Sequence, residues 1–194
     1  MTKTLLFDLD GVLTLPKEVF SVFYSRSHGY DLTPFTEFFE TEWADFVTGE
    51  KDLKQHIENN PQFWKWDKSA DELLDFWFKS EDVKNEALIE IVQGARKNDI
   101  KCYIATEQEQ YRTDYIRNVM FKNHFDGVFS TAEIGFKKKD PRFFENILHS
   151  LGLNPADLIY FDDSQSKLDA AKVTGIRAYL YENPEQVAKI IETF

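Results

Sequence analysis

The sequence predicts an α/β protein: a doubly wound, parallel-sheet core interrupted by an inserted all-helical domain. Three observations predict it. From residue 85 onward, short apolar runs of strand character alternate with segments of helical period. Such alternation implies crossover connections, parallel pairing and a sheet covered on both faces. The N-terminus supplies one more strand, Leu5-Leu6-Phe7, which closes at once on Asp8-Leu9-Asp10-Gly11. Between these parts, residues 15–82 hold all four tryptophans, half of the aromatic residues and no strand-like run.

Taken in order, Leu5 to Leu9 read as a buried strand, and Gly11 as the tight loop that ends it. Alternate residues of an extended segment share a face, so Asp8 and Asp10 can point the same way at the strand's carboxyl end. Two such close anions stay ionised together only beside a cation, or else one holds a proton. In the aromatic stretch, Phe35, Phe38, Phe39, Trp43 and Phe46 recur at helical spacing behind Thr33-Pro34. Leu73, Leu74, Trp77 and Phe78 follow Ser69-Ala70-Asp71-Glu72, a capping box. Gly49 and Asn60-Pro61 punctuate the stretch into four or five expected helices. The expected division is a core of residues 1–14 and 83–194, with 15–82 as the helical insertion.

Beyond it, a helix near Asn85 to Lys97 precedes the strand Lys101 to Thr106, and a second helix runs from about Gln110 to Phe121. A short strand Gly127 to Ser130 leads to a helix opened by Asp140-Pro141, then the strand Leu158 to Phe161 runs into Asp162-Asp163. A helix near Lys167 to Thr174 stops at Gly175, and the strand Arg177 to Leu180 precedes a last helix behind Pro184. Open sheets of this kind bind ligands outside the carboxyl ends of their strands. Asp8, Thr106 and Asp162 all fall there.

Composition narrows the function. A chain of 194 residues with 42% hydrophobic content can bury a full core. A net charge of −11 argues against nucleic-acid and membrane surfaces as partners. No apolar run approaches the ~20 residues of a membrane-spanning helix. The first strand begins directly after Met1-Thr2-Lys3 with no leader pattern, and Cys102, in a strand, is the single cysteine. A cytoplasmic protein without disulfides, with Cys102 an inert core thiol and with no obligatory protein partner, is the expectation.

At the strand ends the residue types describe a chemistry. An acidic pair alone is commonly a solvated loop or a helix cap, and a lysine run such as Lys137-Lys138-Lys139 is commonly a solvated turn. Together, Asp8, Asp10, Asp162 and Asp163 make an oxygen-rich cluster suited to Mg²⁺. Thr106 adds a hydroxyl and the lysines a cation. A carboxylate nucleophile, an acid/base partner, a metal, a hydroxyl donor and an ammonium are the parts of a phosphoryl-transfer site.

These four patches, in this order, resemble the four motifs of the haloacid dehalogenase superfamily, whose Rossmann-like core matches the predicted sheet. Phe7-Asp8-Leu9-Asp10-Gly11-Val12 is similar to motif one, whose first aspartate is the nucleophile and second the acid/base. Ile104-Ala105-Thr106 is similar to motif two, and Tyr160-Phe161-Asp162-Asp163-Ser164 to motif four. Gly135-Phe136-Lys137-Lys138-Lys139-Asp140-Pro141 is similar to the Gly-x-x-Lys-Pro-Asp-Pro form of motif three and puts Lys138 at the family's lysine. The helical insertion after motif one resembles the cap of one subfamily. Glu107 stands where many relatives have asparagine, and Lys139 replaces a proline. Asp10 is the residue that dehalogenating members lack.

The resemblance implies a Mg²⁺-dependent phosphatase. Its catalytic residues would be Asp8, Asp10, Thr106 and Lys138, with metal held by Asp8, the Asp10 carbonyl, Asp163 and Asp162. A phosphosugar mutase would use the same residues and return the phosphate to sugar. A receiver module also carries acids and a lysine on a parallel sheet, but without such an insertion, and a catalytically dead, partner-binding relative is disfavoured by the intact acid set. The insertion carries 7 basic against 15 acidic residues. This disfavours strongly anionic leaving groups such as nucleotides and leans towards a small sugar phosphate.

Overall fold

The computed structural model describes residues 3–193. Among these residues, five strands form one sheet: β1 (Thr4–Phe7), β2 (Lys101–Thr106), β3 (Gly127–Ser130), β4 (Leu158–Asp162) and β5 (Arg177–Leu180). All neighbours pair in parallel, in the order β3-β2-β1-β4-β5. The chain leaves central β1 towards β2 on one side and later fills β4 on the other. The strand order thus reverses between β1 and β4, which opens a crevice at their carboxyl ends.

The two faces of β1 are read off its alternation. Leu5 and Phe7 pack with Leu88 and Val92 of α7 (Glu86–Lys97) and with Val187 of α12 (Pro184–Glu192). Leu6 faces the other way, onto Phe143 and Ile147 of α10 (Pro141–Leu151) and Leu168 of α11 (Gln165–Val173). Each fully buried side chain of this kind contributes roughly 1.5–3 kcal/mol relative to exposure. Cys102 lies in the first of these cores, where burial pushes its thiol up to about 12. So raised, it is no nucleophile at neutral pH.

Residues 20–80 form six helices: α1 (Phe20–His28), α2 (Thr33–Thr41), α3 (Trp43–Val47), α4 (Leu53–Asn59), α5 (Pro61–Trp64) and α6 (Ala70–Ser80). That is one more than the upper expectation, because the aromatic run behind Thr33-Pro34 breaks at Glu42 into α2 and α3. The break lets Phe38 and Phe46 turn into the same core, their rings 5.5 Å apart. That core, with Phe20, Tyr24, Trp64, Leu73 and Trp77, is separate from the two that clasp the sheet. Ser69 and Glu72 close the capping box at the start of α6.

Where the chain leaves β1 and where it returns, it lies side by side with itself. The Leu15 N–H donates to Val83 O at 2.8 Å, and the Asn85 N–H to Leu13 O at 2.9 Å. A second contact joins the helices to the sheet layer at Gly49, which holds φ +77°. A Cβ there would stand 2.7 Å from the carbonyl oxygen of Ala132 in α9 (Thr131–Ile134). The helix expected from Gln110 to Phe121 is instead α8 (Gln110–Tyr115) continued by a wider π turn over Ile116–Met120. Among the described residues no helix is long and apolar enough to cross a membrane.

Candidate active site

The crevice between β1 and β4 gathers the acids. The register places Phe7 beside Phe161 on one side and Ile104 on the other, and the Asp8 N–H donates to Phe161 O at 2.9 Å. Asp8 therefore sits level with Asp162, the last residue of β4, and next to the end of β2. Carboxylate oxygens of Asp8, Asp162 and Asp163 lie within 4.8 Å of one another. Asp8 and Asp162 are buried, whereas Asp163 is exposed at the mouth.

Lys138 neutralises this buried pair. Its side chain is fully buried, its ammonium is in contact with Asp8 and lies 2.8 Å from Asp162, and it donates to Ala105 O at 3.2 Å. Lys137 is half-buried and Lys139 exposed, so the middle lysine is the one that enters the crevice. Glu107 helps to hold it there, because its carboxylate accepts the Lys138 backbone N–H at 3.3 Å. A second ammonium, Lys167 of α11, stands 3.5 Å from Asp8.

Burial raises the Asp8 carboxyl to about 7 despite the pull of Lys138 and Lys167. Asp162 behaves oppositely. Burial acts to raise it too, but Lys138, Lys167 and the Tyr160 hydroxyl outweigh burial and hold it below the ordinary carboxylate range. Tyr160 donates its O–H to Asp162, and the Ser164 N–H donates at 2.8 Å, so Asp162 is a fixed anion with both oxygens occupied. Thr106 closes β2 with a buried hydroxyl that has no partner among the described residues. An orphaned buried hydroxyl is costly, and its place beside an acid–lysine crevice fits an oxyanion acceptor.

Asp10 stands apart from the cluster. Its carboxylate accepts from Thr14 Oγ1 at 3.0 Å and from Gln108, and pairs with Arg112 of α8 at 3.3 Å. Arg112 is buried and also grips Glu81, just past the end of α6. Glu81 in turn accepts the Phe20 N–H at 2.6 Å and the Trp77 indole N–H at 3.1 Å. Arg112 thus ties the loop after β1 to the helical layer. Arg112, Gln108 and Lys167 are the members of the site that sequence reasoning did not pick out. Lys167 had a usable signal, a cation one helical turn beyond Asp162-Asp163, whereas Arg112 and Gln108 owe their place to tertiary packing alone.

Gly11 makes the loop possible. It holds φ +83°, donates its N–H to Thr14 O at 2.9 Å, and a Cβ on it would fall 2.2 Å from Asp163 Oδ2. Gly11→Ala is therefore expected to cost about 1–3 kcal/mol of stability, from left-handed backbone strain plus displacement of Asp163. Denaturant titration measures it, and an unchanged midpoint would mean that the loop tolerates a side chain.

Comparison with known proteins bears on the family and the fold. A bovine haloacid dehalogenase-like hydrolase domain-containing protein 3 is 30% identical over 95 residues, which cover 48% of this chain and 38% of that protein's length. A phosphorylated carbohydrates phosphatase of Thermotoga maritima is 24% identical over 183 residues, covering 90% of this chain and 82% of its own. Among solved structures, a HAD-family enzyme of Bacteroides thetaiotaomicron, in complex with magnesium and inorganic phosphate, superposes with a TM-score of 0.75. It is 18% identical, over 94% of this chain and 95% of its own. A family model described as haloacid dehalogenase-like hydrolase matches residues 2–175, so with nearly the whole chain inside that match, the protein belongs to the haloacid dehalogenase-like hydrolases.

Proposed function

We propose that the protein is a Mg²⁺-dependent phosphomonoester hydrolase that works through an aspartyl-phosphate, on a small phosphorylated metabolite. The observation that carries this reading is the buried Lys138 ammonium shared by Asp8 and Asp162. A buried cation that holds a nucleophilic carboxylate in place at strand ends suits a doubly charged phosphoryl group. Relatives named as phosphatases support it.

Asp8 is the nucleophile. One of its oxygens bonds to phosphorus as the bond from phosphorus to the substrate's ester oxygen breaks, and Asp10 gives a proton to that departing oxygen. Asp10 then takes a proton from water, the hydroxide oxygen bonds to phosphorus, and the bond to Asp8 breaks to release inorganic phosphate. Thr106 Oγ1, orphaned among the described residues, donates to a phosphoryl oxygen, and Lys138 and Lys167 balance its charge.

The donor set fits Mg²⁺. Three carboxylates offer hard oxygens within 4.8 Å of one another, and Asp163 faces solvent, from which an ion and its waters enter. Asp8, Asp163 and the Asp10 carbonyl would hold it, with Asp162 beside them. Bound there, the ion supplies positive charge that keeps Asp8 ionised and draws charge from the phosphate. Residues 15–82 are read as a cap over this site, which excludes water and selects the leaving group. Phosphate release from p-nitrophenyl phosphate, with Mg²⁺ and with excess chelator, tests the reading. Activity is expected only with the ion, and equal activity in chelator would remove the metal from the mechanism.

A further inference from the structure

Beside Asp10 lies a cavity of about 480 Å³, roofed mainly by the inserted helices. Phe20, Val22, Leu32, Phe39, Trp43 and Trp77 form its apolar walls. The Phe39 ring stands edge to face with Trp43 at 5.0 Å and with Trp77 at 5.7 Å. Ser21, Thr36 and Glu40 share the lining, and the Thr36 hydroxyl donates to Leu32 O at 3.3 Å. The Trp77 indole N–H and the Phe20 N–H both serve Glu81. Asp10, Gln108 and Arg112 line the same cavity, and Arg112, 3% exposed, has an Nε with no partner among the described residues. A second cavity, of about 420 Å³, shares Asp10, Val19 and Glu81 with the first and reaches Gly11 and Asp163. The two adjoin at Asp10, one on the side of Asp163 and the other on the side of the aromatic rings.

The proton donor to the departing oxygen therefore sits at the threshold of an apolar chamber whose size suits a ring system. A polyhydroxylated sugar would lose its water against these apolar walls and find hydrogen-bond partners only on the polar part of the lining, at Ser21, Glu40 and the residues around Asp10. We propose that the leaving group is an alcohol with an aromatic body, lying against the packed rings of Phe39, Trp43 and Trp77. This rests on the phosphomonoester reading and replaces the sugar that the insertion's acidity and the Thermotoga relative's name speak for.

The test compares 2-(1-naphthyl)ethyl phosphate with glucose 6-phosphate. Both are primary alkyl esters, so the chemistry of the departing oxygen is matched and the body of the alcohol is what differs. With the full chain and Mg²⁺, kcat/KM is expected to favour the naphthyl ester by on the order of tenfold or more, carried by KM. Phe39→Ala should shrink that ratio towards unity. In parallel, quenching of tryptophan fluorescence follows binding of 2-(1-naphthyl)ethyl phosphonate, expected to bind at least about tenfold tighter than methylphosphonate. Equal or better kcat/KM for glucose 6-phosphate overturns the proposal, and so do equal phosphonate affinities. If neither ester nor p-nitrophenyl phosphate is turned over while the naphthyl phosphonate still binds preferentially, the hydrolase reading fails and the chamber stands.

Discussion

Asp8→Asn is expected to abolish phosphate release while the protein stays folded. Asparagine has the shape of aspartate but no anionic oxygen to bond phosphorus, and loss of a covalent nucleophile costs on the order of 10⁴-fold or more. Stability should change little, for two opposing reasons. The amide removes a buried charge whose desolvation raises the native carboxyl to about 7. It also leaves Lys138 with one carboxylate fewer, though Asp162 stays 2.8 Å away. Phosphate release under saturating Mg²⁺, together with a thermal melt, checks both halves. Turnover within about a hundredfold of the wild type would remove Asp8 from the nucleophile's role. A collapsed melt would instead show that its charge is structural.

Much of the sheet was legible because its signals are local. Leu5-Leu6-Phe7 is apolar without a break, as a strand covered on both faces requires, and the capping box at Ser69 and the proline after Asp140 mark helix starts within a few residues. Boundaries were less legible where a competing local geometry wins. The aromatic spacing from Phe35 to Phe46 is that of a single helix, yet the chain breaks it at Glu42 because both halves must face one core. The π turn over Ile116–Met120 likewise keeps a helical pattern in the sequence while widening the backbone.

The candidate site divides in the same way. Asp8, Thr106 and Asp162 end neighbouring strands, so an alternating pattern suffices to bring them together. Arg112 meets Asp10 across 102 positions, and Gln108 meets it across 98, from a loop and helix that no strand register aims. Their placement depends on how α8 packs against α6, with Arg112 reaching from one to Glu81 at the end of the other. The aromatic chamber was legible only as composition. That Phe39, Trp43 and Trp77 pack on one another and present one side to a cavity beside Asp10 is a property of tertiary packing, which no spacing encodes.

Lys138→Ala is expected to cost both activity and stability, and the pH dependence of the stability loss separates this lysine from its neighbours. The fully buried ammonium sits between two buried carboxylates. At an effective dielectric near 20, a unit charge at ~4 Å is worth about 4 kcal/mol, so turnover should fall on the order of 10³-fold. Deleting one partner of a buried pair costs roughly 3–5 kcal/mol at neutral pH, because the remaining charges lose their compensation. The sign with pH follows from Asp162, whose carboxyl is held low with Lys138 the first of the charges that hold it there. In the wild type its contribution is present above the ordinary Asp value and lost as pH falls through the native one. In the variant the first of those pulls is gone while Lys167 and the Tyr160 hydroxyl remain, so the Asp162 carboxyl moves up towards its ordinary value and the stability it contributes at neutral pH shrinks. The stability gap between variant and wild type should therefore be widest near pH 7 and narrow towards pH 4, read by urea titration at both. Lys137→Ala and Lys139→Ala, on side chains outside the buried crevice, should stay within about 0.5 kcal/mol of wild type. A gap that is constant with pH, or a damaging Lys139→Ala, would mean that Lys138 supports the fold without compensating the acids.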